Sequence, residues 1–513
     1  MSTESPAVQP EPDGPGPLRI SRRTALLGLG GLAMVGVGGW WITDGIPRNE
    51  GSSFSSPLAI PPLLPSERVG DERVFRLSAQ QGATELVPGV SFATMGFNGA
   101  YLGPTIRATR GERVRMHVTN RMELPTTAHW HGMILPASQD GTPHQTIIPG
   151  ATWTAAWRID QPAATLWYHP HPHGQTELQV GRGLAGLFLV DDPATEARLP
   201  AEYGVDDIPL ILQDVTVVPG GSQVGTPTQS PIGRIGNTVV VNGTHHARFS
   251  ATTTLVRFRI LNASTARCYN LELSTADPFL LVGTDGGLLA TPRSLKSLLL
   301  SPAERAEILV RVPKGADIVL RSAPYDLGMS AGDNIDSGAE DHLDILRITG
   351  ASARGQGHAV PRSLPAVAPP SLTDVVVDRH FTLGDTTING RTMDMDRIDT
   401  VVAAGAVERW TVTNTSSRAH NFHIHGSQFH VHSMNARPPQ AKDSGRKDTV
   451  FIAPRAVAEL IVPFSRYVDG MTPYMYHCHL LWHEDQGMMA QYVITAEGSE
   501  PPMSMGPDAG HHH

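Results

Sequence analysis

An Asn-Gly pair followed by a strand-like run recurs three times in this chain, at Asn98-Gly99, Asn242-Gly243 and Asn389-Gly390, roughly 145 residues apart. Each run closes near a second asparagine: Asn120, Asn262 or Asn414. Between these marks the sequence consists of short Val, Ile, Leu and Thr-rich stretches broken by Gly, Pro, Asn and Asp. It has almost no sustained helical period, which is the pattern of β-sandwiches. A chain of 513 residues is also too long for one core, since cores stop growing near roughly 250–300 residues. The expectation is an all-β chain of three related Greek-key β-sandwich domains at 60–195, 205–350 and 375–496. A Pro/Ala-rich linker at 351–371 precedes the third domain, and a polar tail fills 497–513.

Charge and cysteine content exclude several classes. Forty basic and 49 acidic side chains give a net charge of −9, and no basic run is long enough to grip a phosphate backbone, so nucleic acid is not expected as a partner. With only two cysteines, Cys268 and Cys478, a disulfide framework is impossible and burial must hold the fold together. Ser21-Arg22-Arg23-Thr24-Ala25-Leu26-Leu27 and the apolar stretch to about Ile42 read as a twin-arginine export signal within 1–45. Export through the twin-arginine machinery places the protein in the periplasm, at the cell surface or outside. No clear A-x-A site follows, so the segment also fits a retained membrane tether.

The 23 histidines are grouped. They concentrate at His129-Trp130-His131-Gly132, His169-Pro170-His171-Pro172-His173-Gly174, His420-Asn421-Phe422-His423-Ile424-His425-Gly426, and His477-Cys478-His479 with His483. A lone histidine is usually a surface or hydrogen-bonded core residue. Repeated His-x-His pairs are different, because alternate residues of a strand project to one face and aim two imidazoles into one space. In His477-Cys478-His479 the two imidazoles point one way and the thiol the other, so one tripeptide touches two metal centres.

A thiolate, two imidazoles and a weak axial thioether form the ligand set of a blue-copper centre. Cys478, His483 and Met488 supply three of these groups, and His420 is the best candidate for the fourth. Eight imidazoles remain: His129, His131, His169, His171, His423, His425, His477 and His479. They come from the first and third domains, so they converge only if those domains pack together around a multinuclear site. Zinc is the competing metal, but eight imidazoles exceed the three or four ligands of its ordinary sites, and copper with dioxygen fits better.

The motifs HWHG, HPHPHG, HNFHIHG and HCHLLWHEDQGMM, with FNGAYLGPTIRATRGERVRMHVTN at 97–120, closely resemble those of bacterial multicopper oxidases of the laccase and cuprous-oxidase type. The resemblance extends over nearly the whole chain after residue 60. It implies three cupredoxin domains and four copper ions: one type 1, one type 2 and two type 3. Carried over by position, it assigns His420, Cys478, His483 and Met488 to type 1 and His129 and His423 to type 2. His131, His169, His171, His425, His477 and His479 go to type 3. His173 matches a family histidine outside the ligand sphere, and Asp140 and Glu484 match acidic residues that deliver protons to reduced oxygen, although either also reads as surface charge.

The implied reaction couples one-electron oxidation of a small-molecule donor to reduction of O2 to water. Two donor classes share that chemistry: phenols and aromatic amines, as in laccases, and Cu(I), as in cuprous oxidases. The latter resemble this chain but carry a long Met- and His-rich insertion before the third domain. Here that stretch is short, and Ser416-Ser417-Arg418-Ala419 before His420 offers neither sulfur nor carboxylate. Met393, Met395, Met503 and Met505 are scattered, so the organic donor is favoured. A copper-free structural role in the cell envelope would dispense with the ligands this chain retains. Cys268 reads as a small buried side chain, the middle domain as a spacer and part of the substrate wall, and 324–340 as a surface loop that also fits the edge of the type 1 site.

Overall fold

The computed structural model describes residues 54–193, 199–218, 220, 223–350 and 359–496. The signal segment at 1–45 and the tail at 497–513 lie outside the described residues. Among the described residues no helix is long and apolar enough to cross a membrane.

Strand Arg113–Asn120 alternates buried and partly exposed side chains along its length, and Val407–Asn414 repeats that alternation. Each buries one face and turns the other outward, as in a sandwich. In the first sandwich, one sheet contains Ser66–Val69, Glu72–Val87, Val90–Phe97, Arg113–Asn120 and Thr152–Arg158. The facing sheet contains Ile106–Thr109, Ala164–Tyr168 and Gly186–Asp191. Phe75, Met116, Trp130, Leu166 and Phe188 pack between them. The middle sandwich has a seven-stranded and a six-stranded sheet, and the third has two five-stranded sheets. The fold is all-β, with three cupredoxin-like sandwiches.

The repeated asparagines do the same work in every copy. Asn98, Asn242 and Asn389 adopt φ of 55°, 50° and 53°, a left-handed conformation that asparagine tolerates better than most residues. Their side-chain oxygens accept from Ser78 N at 2.6 Å, Ile211 N at 2.7 Å and Thr382 N at 2.8 Å. At the strand ends, Asn120, Asn262 and Asn414 accept from Met122 N, Ser264 N and Ser416 N. Each also donates to a carbonyl four or five residues onward, of Leu124, Arg267 or Arg418. The repeat visible in the sequence is therefore a repeated turn and a repeated strand terminus.

The middle copy departs from its partners. Strand Leu255–Asn262 is buried along its whole length, because the face that would meet water lies against the first sandwich. Arg259 there pairs with Asp207 at 2.6 Å and donates to Thr165 Oγ1 at 3.2 Å, and Arg257 pairs with Glu307. Such charges are tolerable in a dry interface only because each is paired. Cys268 is buried, as expected, and burial raises its thiol pKa.

The segment at 324–340 is more than a surface loop. It contains a short helix, Ala331–Asp336, started by Ser330 Oγ accepting from Asp333 N. Leu327 is fully buried in the core cluster that also holds Cys478 and Met488. Ala339 is buried in the same cluster, and the polarity of the segment hid both apolar anchors.

Candidate metal centre

The histidine clusters meet because their strands pair. His129 bridges His169 in the first sandwich, and His423 stands opposite His477 where His420–Ile424 runs beside Asp469–His477. All eight imidazoles are buried at the junction of the first and third sandwiches. His171 Nε2 lies 3.2 Å from His477 Nε2, which lies 3.0 Å from His425 Nε2. On the other side His169 Nε2 lies 3.4 Å from both His131 Nδ1 and His479 Nε2. Six rings thus sort into two triplets, and His129 and His423 complete the set with Nε2 atoms that have no hydrogen-bond partner.

The outward nitrogens are held. His129 Nδ1 donates to Asp140 O at 3.0 Å, His169 Nδ1 to Pro170 O at 2.9 Å and His423 Nδ1 to Asp448 O at 2.8 Å. Seven rings turn Nε2 inward and His131 turns Nδ1. Burial first, and then the neighbouring imidazoles, hold His131, His169, His423 and His425 well below the usual histidine pKa. His171 is lowered to about 3 by burial. Neutral imidazole is the metal-binding form.

Cys478 lies on the opposite face of its strand end, flanked by His477 of one triplet and His479 of the other. Its Sγ is 3.6 Å from His420 Nδ1 and 3.6 Å from His483 Nδ1, and those two nitrogens are 3.1 Å apart. Ligands about 2.0–2.3 Å from a shared metal define a triangle of this size. Met488 is buried in the same core, and its carbonyl accepts from Cys478 N at 3.2 Å. The outer nitrogens are capped, His420 Nε2 by Ser416 Oγ at 3.0 Å and His483 Nε2 by Pro231 O at 2.8 Å. Pro231 belongs to a hairpin of the middle sandwich, Thr228–Ser230 with Gly233–Ile235. Burial pushes the Cys478 thiol up to about 12, so a bound cation is what would make it a thiolate. The donor chemistry, the ring spacing and the unpartnered inward nitrogens fit metal ions.

Both expected carboxylates reach the cluster. Asp140 Oδ2 accepts from His425 Nδ1 at 2.7 Å, and Oδ1 is buried without a hydrogen-bond partner. Gly141 makes this approach possible, since with φ of 81° a Cβ there would fall 1.9 Å from Ala128 O. Glu484 is fully buried, with Oε2 3.2 Å from His477 Nδ1 and Oε1 3.6 Å from His171 Nδ1. His173 is exposed and does not join the cluster.

Sequence reasoning overlooked three contributors. Asn421 Oδ1 accepts from His479 N at 2.5 Å and lies 3.6 Å from Cys478 Sγ. Trp167 stacks on His169 with ring centroids 4.1 Å apart. Asp448 touches His131 and His423; a lone acid opening the apolar run Thr449-Val450-Phe451-Ile452 was its only signal.

Comparison with known proteins identifies the family. The multicopper oxidase family profile matches residues 78–195 and 366–498. The chain is 34% identical to the multicopper oxidase mco of Staphylococcus haemolyticus, over 82% of this chain and 88% of the relative. It is 33% identical to the cell division protein FtsP of Escherichia coli, over 86% of this chain and 93% of that protein. Among solved structures, a laccase-like multicopper oxidase CueO from the lignin-degrading bacterium Ochrobactrum sp. superposes with a TM-score of 0.78 at 36% identity, covering 86% of this chain and 100% of that one. The chain belongs to the multicopper oxidase family.

Proposed function

We propose that this chain is a laccase-like oxidase that takes electrons singly from phenols or aromatic amines and passes them to O2, forming water. His420, Cys478, His483 and Met488 would hold type 1 copper, His129 and His423 type 2, and His131, His169, His171, His425, His477 and His479 the type 3 pair. The four ions, when bound, supply the one-electron acceptor and the multi-electron donor to O2. The observation that carries this reading is Cys478: its thiol faces His420 and His483, while its two chain neighbours belong to different imidazole triplets.

The protein's own groups divide the remaining work. Packing from all three sandwiches keeps water from the buried imidazoles. Reduction of O2 to water consumes four protons, and Asp140 and Glu484, whose buried oxygens Oδ1, Oε1 and Oε2 lack hydrogen-bond partners, would pass them inward. Electron entry falls at Trp482, half-buried beside His483 with ring centroids 5.4 Å apart, and the Arg418 guanidinium lies 6.0 Å over its ring. A flat π-face with a cation behind it suits an aromatic donor. The Ochrobactrum relative is described as having oxidase activity towards lignin model compounds, which supports the same donor class. The twin-arginine segment would export the protein.

One observation favours the second reading, oxidation of Cu(I). Met393 N donates to Gly487 O at 2.8 Å, which brings a thioether residue beside the Met488 loop. The relatives named cell division protein FtsP bring in a structural role, against which stands the complete donor set. Oxygen uptake with a methoxyphenol against a stabilised Cu(I) complex separates the donors. Faster turnover with the phenol is expected, a large preference for Cu(I) would replace the proposal with the second reading, and failure to bind copper would leave the structural role.

A further inference from the structure

The middle sandwich contributes none of the clustered imidazoles, yet one of its side chains reaches the multinuclear site. Arg305 is fully buried at the meeting point of all three sandwiches. Its guanidinium has five N–H donors, and each finds an oxygen. Nε donates to Thr165 O of the first sandwich at 3.0 Å. Nη1 donates to Asp448 Oδ1 of the third at 2.7 Å and to Ala303 O at 2.9 Å. Nη2 donates to Asp448 Oδ2 at 2.5 Å and to Asp285 O at 3.0 Å.

Both oxygens of Asp448 accept from the Arg305 fork, so the carboxylate faces His131 as an acceptor. His131 Nε2 lies 3.0 Å from its Oδ1, so the His131 proton must sit on Nε2, leaving the Nδ1 lone pair turned toward His169. The carbonyl of the same Asp448 accepts from His423 Nδ1 at 2.8 Å. One residue therefore sets the ring state of a first-sandwich and a third-sandwich histidine. The glycine of HWHG belongs to this device. A Cβ on Gly132 would fall 2.5 Å from Asp448 Oδ2 and 2.9 Å from Arg305 Nη2, so no other residue lets the pair close.

We propose that Arg305 is a positioning residue for the multinuclear site. It acts through Asp448 to fix the proton of His131 on Nε2 and present Nδ1 to the metal, so the middle sandwich is a working part of the centre. The inference rests on the reading of His131 as a ligand. Lysine cannot replace the function, because an ammonium offers three donors from one point where the fork offers five in a plane.

The test uses the full chain with Arg305→Lys and Arg305→Gln, the lysine variant serving if the glutamine one does not fold. In the copper-free protein, imidazole 15N shifts of His131 report which nitrogen carries the proton. Wild type should show Nε2–H, and both variants should shift toward Nδ1–H. After copper loading, the visible thiolate-to-copper band per chain should be preserved while affinity at the multinuclear site falls ~10–100-fold, the usual cost of losing such an outer partner. A bridge that merely holds sandwiches together would lower the unfolding midpoint and leave the His131 proton and copper occupancy as in wild type; that result would overturn the proposal. Should wild type take up no copper, the oxidase reading fails on its own, and the 15N spectra still decide whether Arg305 fixes the His131 proton.

Discussion

Asp140 and Glu484 are buried carboxylates that each face two rings of the cluster, but their contacts differ. Asp140 binds His425 tightly through one oxygen and leaves the other without a hydrogen bond, whereas neither oxygen of Glu484 has one. Groups that relay protons contribute roughly 10²–10⁴-fold to rate. Asp140→Asn and Glu484→Gln should each slow O2 consumption by about 10²-fold while stopped-flow reduction of the blue centre by donor keeps its wild-type rate. Equal losses in both half-reactions would assign these residues to ring positioning instead. Cys478→Ser should abolish the visible band, whereas an unchanged band would refute the type 1 assignment. The convergence of the histidine pairs was legible because a period of two puts alternate imidazoles on one face. Asp448 and Arg305 were not, since their partnership joins positions 143 residues apart and nothing local in either segment requires the other.

At the scale of elements, the sequence marks turns better than it marks coverings. The three Asn-Gly turns have a local cause that could be read directly. The hairpin at 228–235 has none: its role comes from Pro231 O reaching His483, a contact between sandwiches. The same limit explains why 324–340 read as a surface loop at the edge of the type 1 site, since Leu327 and Ala339 reach the core only through tertiary packing. At the edge of this region Trp482→Ala should raise KM for aromatic donors severalfold with the blue band retained. An unchanged KM would move donor docking elsewhere. Gly141→Ala joins strain to collision with Ala128 O. It should lower the denaturant midpoint by an amount worth at least about 1–3 kcal/mol, the usual cost of a side chain held in a disfavoured backbone region.

For the whole molecule, three sandwiches surround one block of buried histidines, and that has a consequence in acid. Burial lowers His171 to about 3 and His483 to about 4, against about 6.5 in an unfolded chain. Between those values the unfolded state binds protons that the folded state refuses. Stability of the copper-free protein is therefore full above about pH 6.5 and declines as pH falls toward about 4. Calorimetry of the copper-free protein across that window should show a falling Tm, and a flat Tm would mean the rings titrate freely in the fold. Sandwich number and all-β class were readable because each copy repeats its own turn. The burial of Arg257 and Arg259 was not, because alternation predicts a polar face without saying whether water or another sandwich meets it.

The central claim is that four electrons entering singly at Cys478 would, with four protons, reduce one O2 to two waters at the imidazole cluster. It is tested most directly by counting: one-electron donor oxidised per O2 consumed by the copper-loaded protein, with peroxide assayed in the same vessel. The arrangement of one thiolate centre joined to a multinuclear site requires four donor molecules per O2 and no peroxide. Two donors per O2 with stoichiometric peroxide, or no oxygen uptake at full copper loading, would contradict it.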